Sequence, residues 1–154
     1  MIGVRADAPP ALARRLGYAG LLPQAAALVV LIGGDPAWRF TALALGYAYA
    51  ALILSFLGGL WWGLAAQARA SVPPWVWVAA IVPSLVALMS ATPWALGDAW
   101  PGPSLGLLGM ALLASLIVDH RLVAQGLAPP WWMSLRLPLS AGLGLATLAI
   151  SAFA

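Results

Sequence analysis

Residues 40–63 read FTALALGYAYAALILSFLGGLWWG, 24 positions in a row without one charged side chain. A helix crosses the ~30 Å apolar layer of a bilayer with about 20 residues. This stretch is long enough and apolar enough to do so, and its character recurs along the chain. Five stretches qualify: about 17–33, 40–63, 75–92, 100–118 and 137–154. Between them lie short links rich in helix breakers: Gly34-Asp35-Pro36, Val72-Pro73-Pro74, Gly97-Asp98 with Pro101, and Gly126 with Pro129-Pro130. Proline ends helices, and it pushes the residue before it out of the α region.

Composition agrees. The chain has 154 residues, of which 64% are hydrophobic and 7% charged, with a mean hydropathy of +0.98. A soluble domain carries about 25% charged residues. So apolar a chain of this size cannot cover itself in polar surface, which excludes a soluble enzyme and a disordered tail. The seven arginines are dispersed and form no basic stripe, so the positive net charge does not point to nucleic acid. The fold expected is an all-α integral membrane protein, a five-transmembrane-helix bundle occupying residues 1–154 as one membrane domain.

The arginines orient it. With five spans the termini face opposite sides. Arg5, Arg14, Arg15, Arg69, Arg121 and Arg136 fall on the side of the N-terminus, and Arg39 alone falls on the other. Arginine near span ends marks the cytoplasmic face. The N-terminus is therefore expected in the cytoplasm and the C-terminus outside, in a bacterial inner membrane. The nine tryptophans fit interfacial belts: Trp61, Trp62, Trp75, Trp77, Trp131 and Trp132 near the inner boundary, Trp38, Trp94 and Trp100 near the outer. Residues 1–33 share a basic start and an apolar run with signal peptides. The run is long for one and no small-residue cleavage site follows, so a retained first span is expected.

Candidate chemistry is sparse. The chain has no Cys, no Glu and one His, so one copy assembles neither a Cys/His zinc site nor a His-pair haem site. No HExxH or phosphate-loop pattern occurs. Asp119-His120-Arg121 is the densest polar cluster, placed at the end of the fourth span. Adjacent helical positions point about 100° apart, so Asp119 should meet Arg136 or Arg69 rather than Arg121. With Trp131 and Trp132 beside them, Asp119, His120, Arg121 and Arg136 read as an interfacial ion pair on an aromatic shelf. A headgroup, anion or proton site is the functional alternative. Every ionisable residue is expected outside the apolar cores.

Pro23 and Pro83 fall inside spans and should kink them, with Gln24 and Ser84 placed to satisfy the freed carbonyls. Small residues four apart mark expected helix contacts: Gly59 and Gly63, Gly102 and Gly106, Gly142 and Ala146.

Several segments resemble a known family. Phe56-Leu57-Gly58-Gly59-Leu60-Trp61-Trp62-Gly63 is similar to the second-span signature of the transmembrane protein 69-like family, also called domain of unknown function 3429. Leu16 to Pro23 resembles its opening and Pro83-Ser84-Leu85 its third span. Val118-Asp119-His120-Arg121, Pro130-Trp131-Trp132 and Leu135-Arg136-Leu137-Pro138-Leu139 resemble its late Asp-Arg and Trp/Leu-Arg-x-Pro region. The resemblance spans about residues 14–150. It implies a several-span inner-membrane protein of bacteria or mitochondria and carries over no catalytic residue. Trp61 stands where the family often has His or Arg.

Two functions from different classes follow. The first is a non-catalytic accessory or assembly subunit, docked to a larger membrane complex of respiratory or photosynthetic type. Its partners would be lipids and other transmembrane helices, with no cofactor of its own. The second is a homo-oligomeric small-molecule or lipid carrier, with Gln24, Tyr18, Tyr47 and Tyr49 lining a polar path to midplane. An enzyme is not expected, because only Asp119 and His120 could serve as acid or base.

Overall fold

The computed structural model describes residues 8–68, 71–98 and 100–154. Arg5 and Arg69 lie outside these described residues. The elements in order are α1 (Ala11–Ala19), α2 (Leu22–Gly33), a 3-10 turn (Pro36–Trp38), α3 (Arg39–Gln67), α4 (Pro74–Ser90), α5 (Thr92–Leu96), α6 (Gly102–Ala124) and α7 (Trp132–Ser151). They make five helical stretches long and apolar enough to cross a membrane: Ala11–Gly33, Pro36–Gln67, Pro74–Leu96, Gly102–Ala124 and Trp132–Ser151.

Breakers set the boundaries. Pro73 and Pro74 open α4, where a missing N–H costs nothing. Asp35 caps the turn before α3 by accepting a hydrogen bond from Ala37 N at 2.9 Å. Gly97 ends α5 in the left-handed region (φ 77°), where a side chain would be strained.

The stretches run further than hydropathy alone suggests at most ends. α6 continues past 118 to Ala124, and α7 starts at Trp132 rather than 137. Asp119 and Arg136 therefore lie inside helices, not beyond their ends. The reason is mutual: each hides the other's charge within the bundle, so neither has to reach water.

Pro23 does not kink a continuous helix. The first stretch breaks at Gly20–Leu21 and restarts, with Pro23 in the first turn of α2. Gln24 and Ser84 do not satisfy carbonyls of their own helices. Gln24 reaches α3 and α7, and Ser84 meets Ser55 Oγ at 2.8 Å across α3 and α4. Pro83 is a buried residue inside α4, and Pro138 lies inside α7.

Packing joins α6 to α7 and α3 to α4 most extensively, with α3 also meeting α2 and α6. Leu54, Leu57, Trp61, Val76, Leu108, Leu112, Leu122 and Leu143 centre one core cluster, and Ala27, Leu31, Leu43, Leu105 and Ile150 a second. The glycines at the closest helix contacts are Gly58, Gly109 and Gly144. A Cβ on Gly58 would stand 2.3 Å from the Ala80 carbonyl oxygen. Gly142 meets Leu21 and Gly102 meets Ala154, while Ala146 is half-buried. Gly59, Gly63 and Gly106 are not at contacts within the chain: a Cβ on any of them meets nothing within 4 Å. Spacing marked these three, but their helix face turns outward.

Polarity is reversed relative to a soluble protein. Gln24, Ser104, Ser115, Asp119, Arg136, Ser140 and Thr147 are buried. Leu45, Leu52, Phe56, Val78, Leu88, Ile117 and Leu145 are exposed. Such an exterior is stable against hydrocarbon, where backbone polar groups must be satisfied inside the helices.

Candidate functional site

Helical spacing builds the main polar centre. Ser115 and Asp119 are four apart on α6, and Trp132, Arg136 and Ser140 are four apart on α7. Residues at i and i+4 share a face. The two faces meet, and Trp61 of α3 joins them.

Asp119 is fully buried and accepts three hydrogen bonds. Trp61 Nε1 and Trp132 Nε1 donate to Oδ1 at 2.9 and 2.8 Å. Arg136 Nε donates to Oδ2 at 2.8 Å and closes an ion pair. Arg136 Nη2 donates to Ser140 Oγ at 2.7 Å and to Ser115 Oγ at 3.4 Å. Ser115 in turn donates to Leu112 O at 2.6 Å.

A carboxylate offers about four acceptor sites, and three here hold N–H groups. Such a group is committed to binding donors rather than to removing protons. Two charges this deep are stable only because they meet and because their remaining sites are filled. The centre ties three helices together.

Of the candidate cluster, Asp119, Arg136 and Trp132 come together. His120 and Arg121 are exposed on another face of α6. Trp131 is half-buried, with its ring centroid 5.9 Å from that of Trp132. Trp61 is the member that sequence reasoning assigned elsewhere, to an interfacial belt. The i, i+4 pattern of serine with acid on α6, and of Trp, Arg and Ser on α7, was the signal that could have marked the facing surfaces.

A second buried network ties α2, α3 and α7. Gln24 Nε2 donates to Gly46 O at 3.1 Å and to Thr147 Oγ1 at 2.8 Å, and Thr147 donates to Leu143 O at 2.8 Å. Gln24 Oε1 has no partner among the described residues. Tyr49 donates to Gly20 O at 2.6 Å, Tyr47 pairs with Ser90 Oγ at 3.0 Å, and Tyr18 is exposed.

The charged ends are distinct. Gly17 packs on Leu135 and Leu139, and Leu21 on Gly142, so α1 runs parallel to α7. Arg14, Arg15, Arg121 and Arg136 thus gather toward one end of the bundle. Arg39 marks the other, where Nη2 donates to Phe153 O.

Five apolar spans around buried polar groups, most of them hydrogen-bonded within the bundle, define a multi-pass helical membrane protein. The chain belongs to the family described as Protein of unknown function (DUF3429), whose model matches residues 9–153. No curated protein and no solved structure matches it.

Proposed function

We propose that the protein is a non-catalytic accessory or assembly subunit of a larger complex in a bacterial inner membrane, with its N-terminal end toward the cytoplasm. The observation that carries this reading is the state of Asp119. It is the one buried carboxylate among the described residues, and it is occupied by Trp61, Trp132 and Arg136. Chemistry needs an acid or base within reach of a substrate. Here that group holds the bundle together instead.

The outward face of α3 supports docking. Gly59 and Gly63 leave a shallow, unfilled strip beside exposed Phe56 and Leu52. Paired small residues let a second helix approach closely. Three of the four groups a carrier path would use are engaged within the chain: Gln24 with Thr147, Tyr47 with Ser90, Tyr49 with Gly20. The arginines gathered at the α7 N-terminal end suit the cytoplasmic side.

Native purification of the intact chain from membranes in a mild detergent tests the proposal. Recovery within an assembly much larger than 15.9 kDa, with defined partner chains, is the expected result. Recovery as a lone monomer contradicts it.

A further inference from the structure

Helices α1, α3 and α7 leave between them a cleft of about 490 Å³. That volume lies in the ~300–1,000 Å³ range of small-molecule sites. Leu16 and Gly17 line it from α1, Ile53 and Phe56 from α3, and Leu139 and Leu143 from α7. The lining is mostly apolar, and its polar groups come from Tyr49, Trp131, Trp132, Arg136 and Ser140.

Arg136 is more than nine-tenths buried but not saturated. Nε serves Asp119, and Nη2 serves Ser140 and Ser115. Nη1 makes no hydrogen bond among the described residues, and Arg136 lines the cleft. It remains a donor beside the cleft. Asp119 already cancels the guanidinium charge, so a second anion there would be uncompensated in a low dielectric. A neutral carbonyl oxygen is the acceptor that fits. Tyr49 also lines the cleft, but its hydroxyl donates to Gly20 O. The cleft therefore recognises one carbonyl at one end of an apolar body. The donors of the lining, Arg136 and the Trp131 indole, both belong to the N-terminal end of α7, so a ring with two opposed carbonyls meets donors at one end only. Toward the same end of the bundle, α1 carries exposed Arg14 and Arg15, which complement an anionic group outside the cleft.

We propose that this cleft holds one acyl chain of an anionic glycerophospholipid, with its ester carbonyl on Arg136 Nη1 and its phosphate beside Arg14 and Arg15. This assignment goes beyond the accessory-subunit reading and does not depend on it.

The test reconstitutes the full chain in phosphatidylcholine vesicles containing a trace of phosphatidylglycerol with a photoactivatable diazirine on one acyl chain. Label is mapped by peptide mass spectrometry. Cleft residues Ile53 and Leu139 should take more label than Val78 and Leu85 on the outward face of α4. Ile53→Trp should fill the cleft and abolish the excess, with thermal unfolding showing that the variant folds. The surface double variant Arg14→Gln/Arg15→Gln should lower labelling by the phosphatidylglycerol probe more than labelling by a phosphatidylcholine probe, whose choline cation offsets its phosphate. Equal label on cleft and α4 face, or label indifferent to Ile53→Trp, overturns the site. Label displaced by excess quinone but not by excess phosphatidylglycerol overturns the assigned occupant. Equal labelling by both probes, unaffected by the arginine changes, overturns the headgroup assignment.

Discussion

Gly109 and Gly144 bring α6 and α7 so close that a Cβ on Gly144 would stand 3.1 Å from the Gly109 carbonyl oxygen. A Cβ on Gly109 would stand 3.0 Å from that of Gly144. The helices run antiparallel from this contact, which places Ser115 opposite Ser140 and Asp119 opposite Arg136. Close approach at the glycines is what lets short polar side chains meet further along.

Gly144→Val should therefore lower stability by roughly 1–3 kcal/mol, the usual cost of overpacking. Gly59→Ala adds its methyl to open space and should leave the isolated chain unchanged or more stable by about 0.5–1 kcal/mol, since Ala is the better helix former. Thermal unfolding of both variants in one detergent checks this. Equal destabilisation would mean that α3 is packed differently.

The Gln24 network predicts an asymmetry. Thr147→Val removes an acceptor for Gln24 Nε2 and should cost roughly 0.6 kcal/mol and no more than about 1.7, the average and the maximum measured for interhelical hydrogen bonds in a membrane protein. Adding Gln24→Met should cost little more, because it also removes the unpartnered Oε1. A double variant much weaker than the single, by detergent melts, would show that Gln24 does more than bind Thr147.

His120 is exposed and is not among the hydrogen-bond partners of Asp119. His120→Ala should change stability by no more than about 0.5 kcal/mol. It should also leave intact whatever cellular phenotype deletion of the gene produces. Loss of that phenotype in a folded variant would revive a catalytic role.

Orientation is tested by reporter fusions at the C-terminus. A periplasm-dependent phosphatase joined after Ala154 should be active, and a cytoplasm-dependent fluorescent protein at the same point should be dark. The opposite pattern would reverse the bundle in the membrane.

The spans were legible because long apolar runs alternate with Pro73-Pro74, Gly97 and Gly126. Their ends were not, because hydropathy scores each charge singly. Asp119 and Arg136 read as stops, whereas in the bundle they form a pair that both helices pass through. Arg136 was legible as a partner for Asp119. Trp61 was not: it is 58 positions from Asp119, and a tryptophan near a span end reads equally well as an interfacial anchor. The glycines show the same limit. A four-residue spacing says that two small residues share a face, but α3 is apolar on every side, so its pattern does not tell which face turns inward. Gly58 does and Gly59 does not.

Asp119 and Arg136 serve each other within the bundle. A double-mutant cycle measures this directly. Asp119→Asn and Arg136→Gln should each destabilise by roughly 3–5 kcal/mol, because each leaves a buried charge alone. The double variant leaves none, and by thermal unfolding in one detergent it should be much more stable than the sum of the two losses implies. Strictly additive losses would mean that the two side chains are not coupled in the bundle.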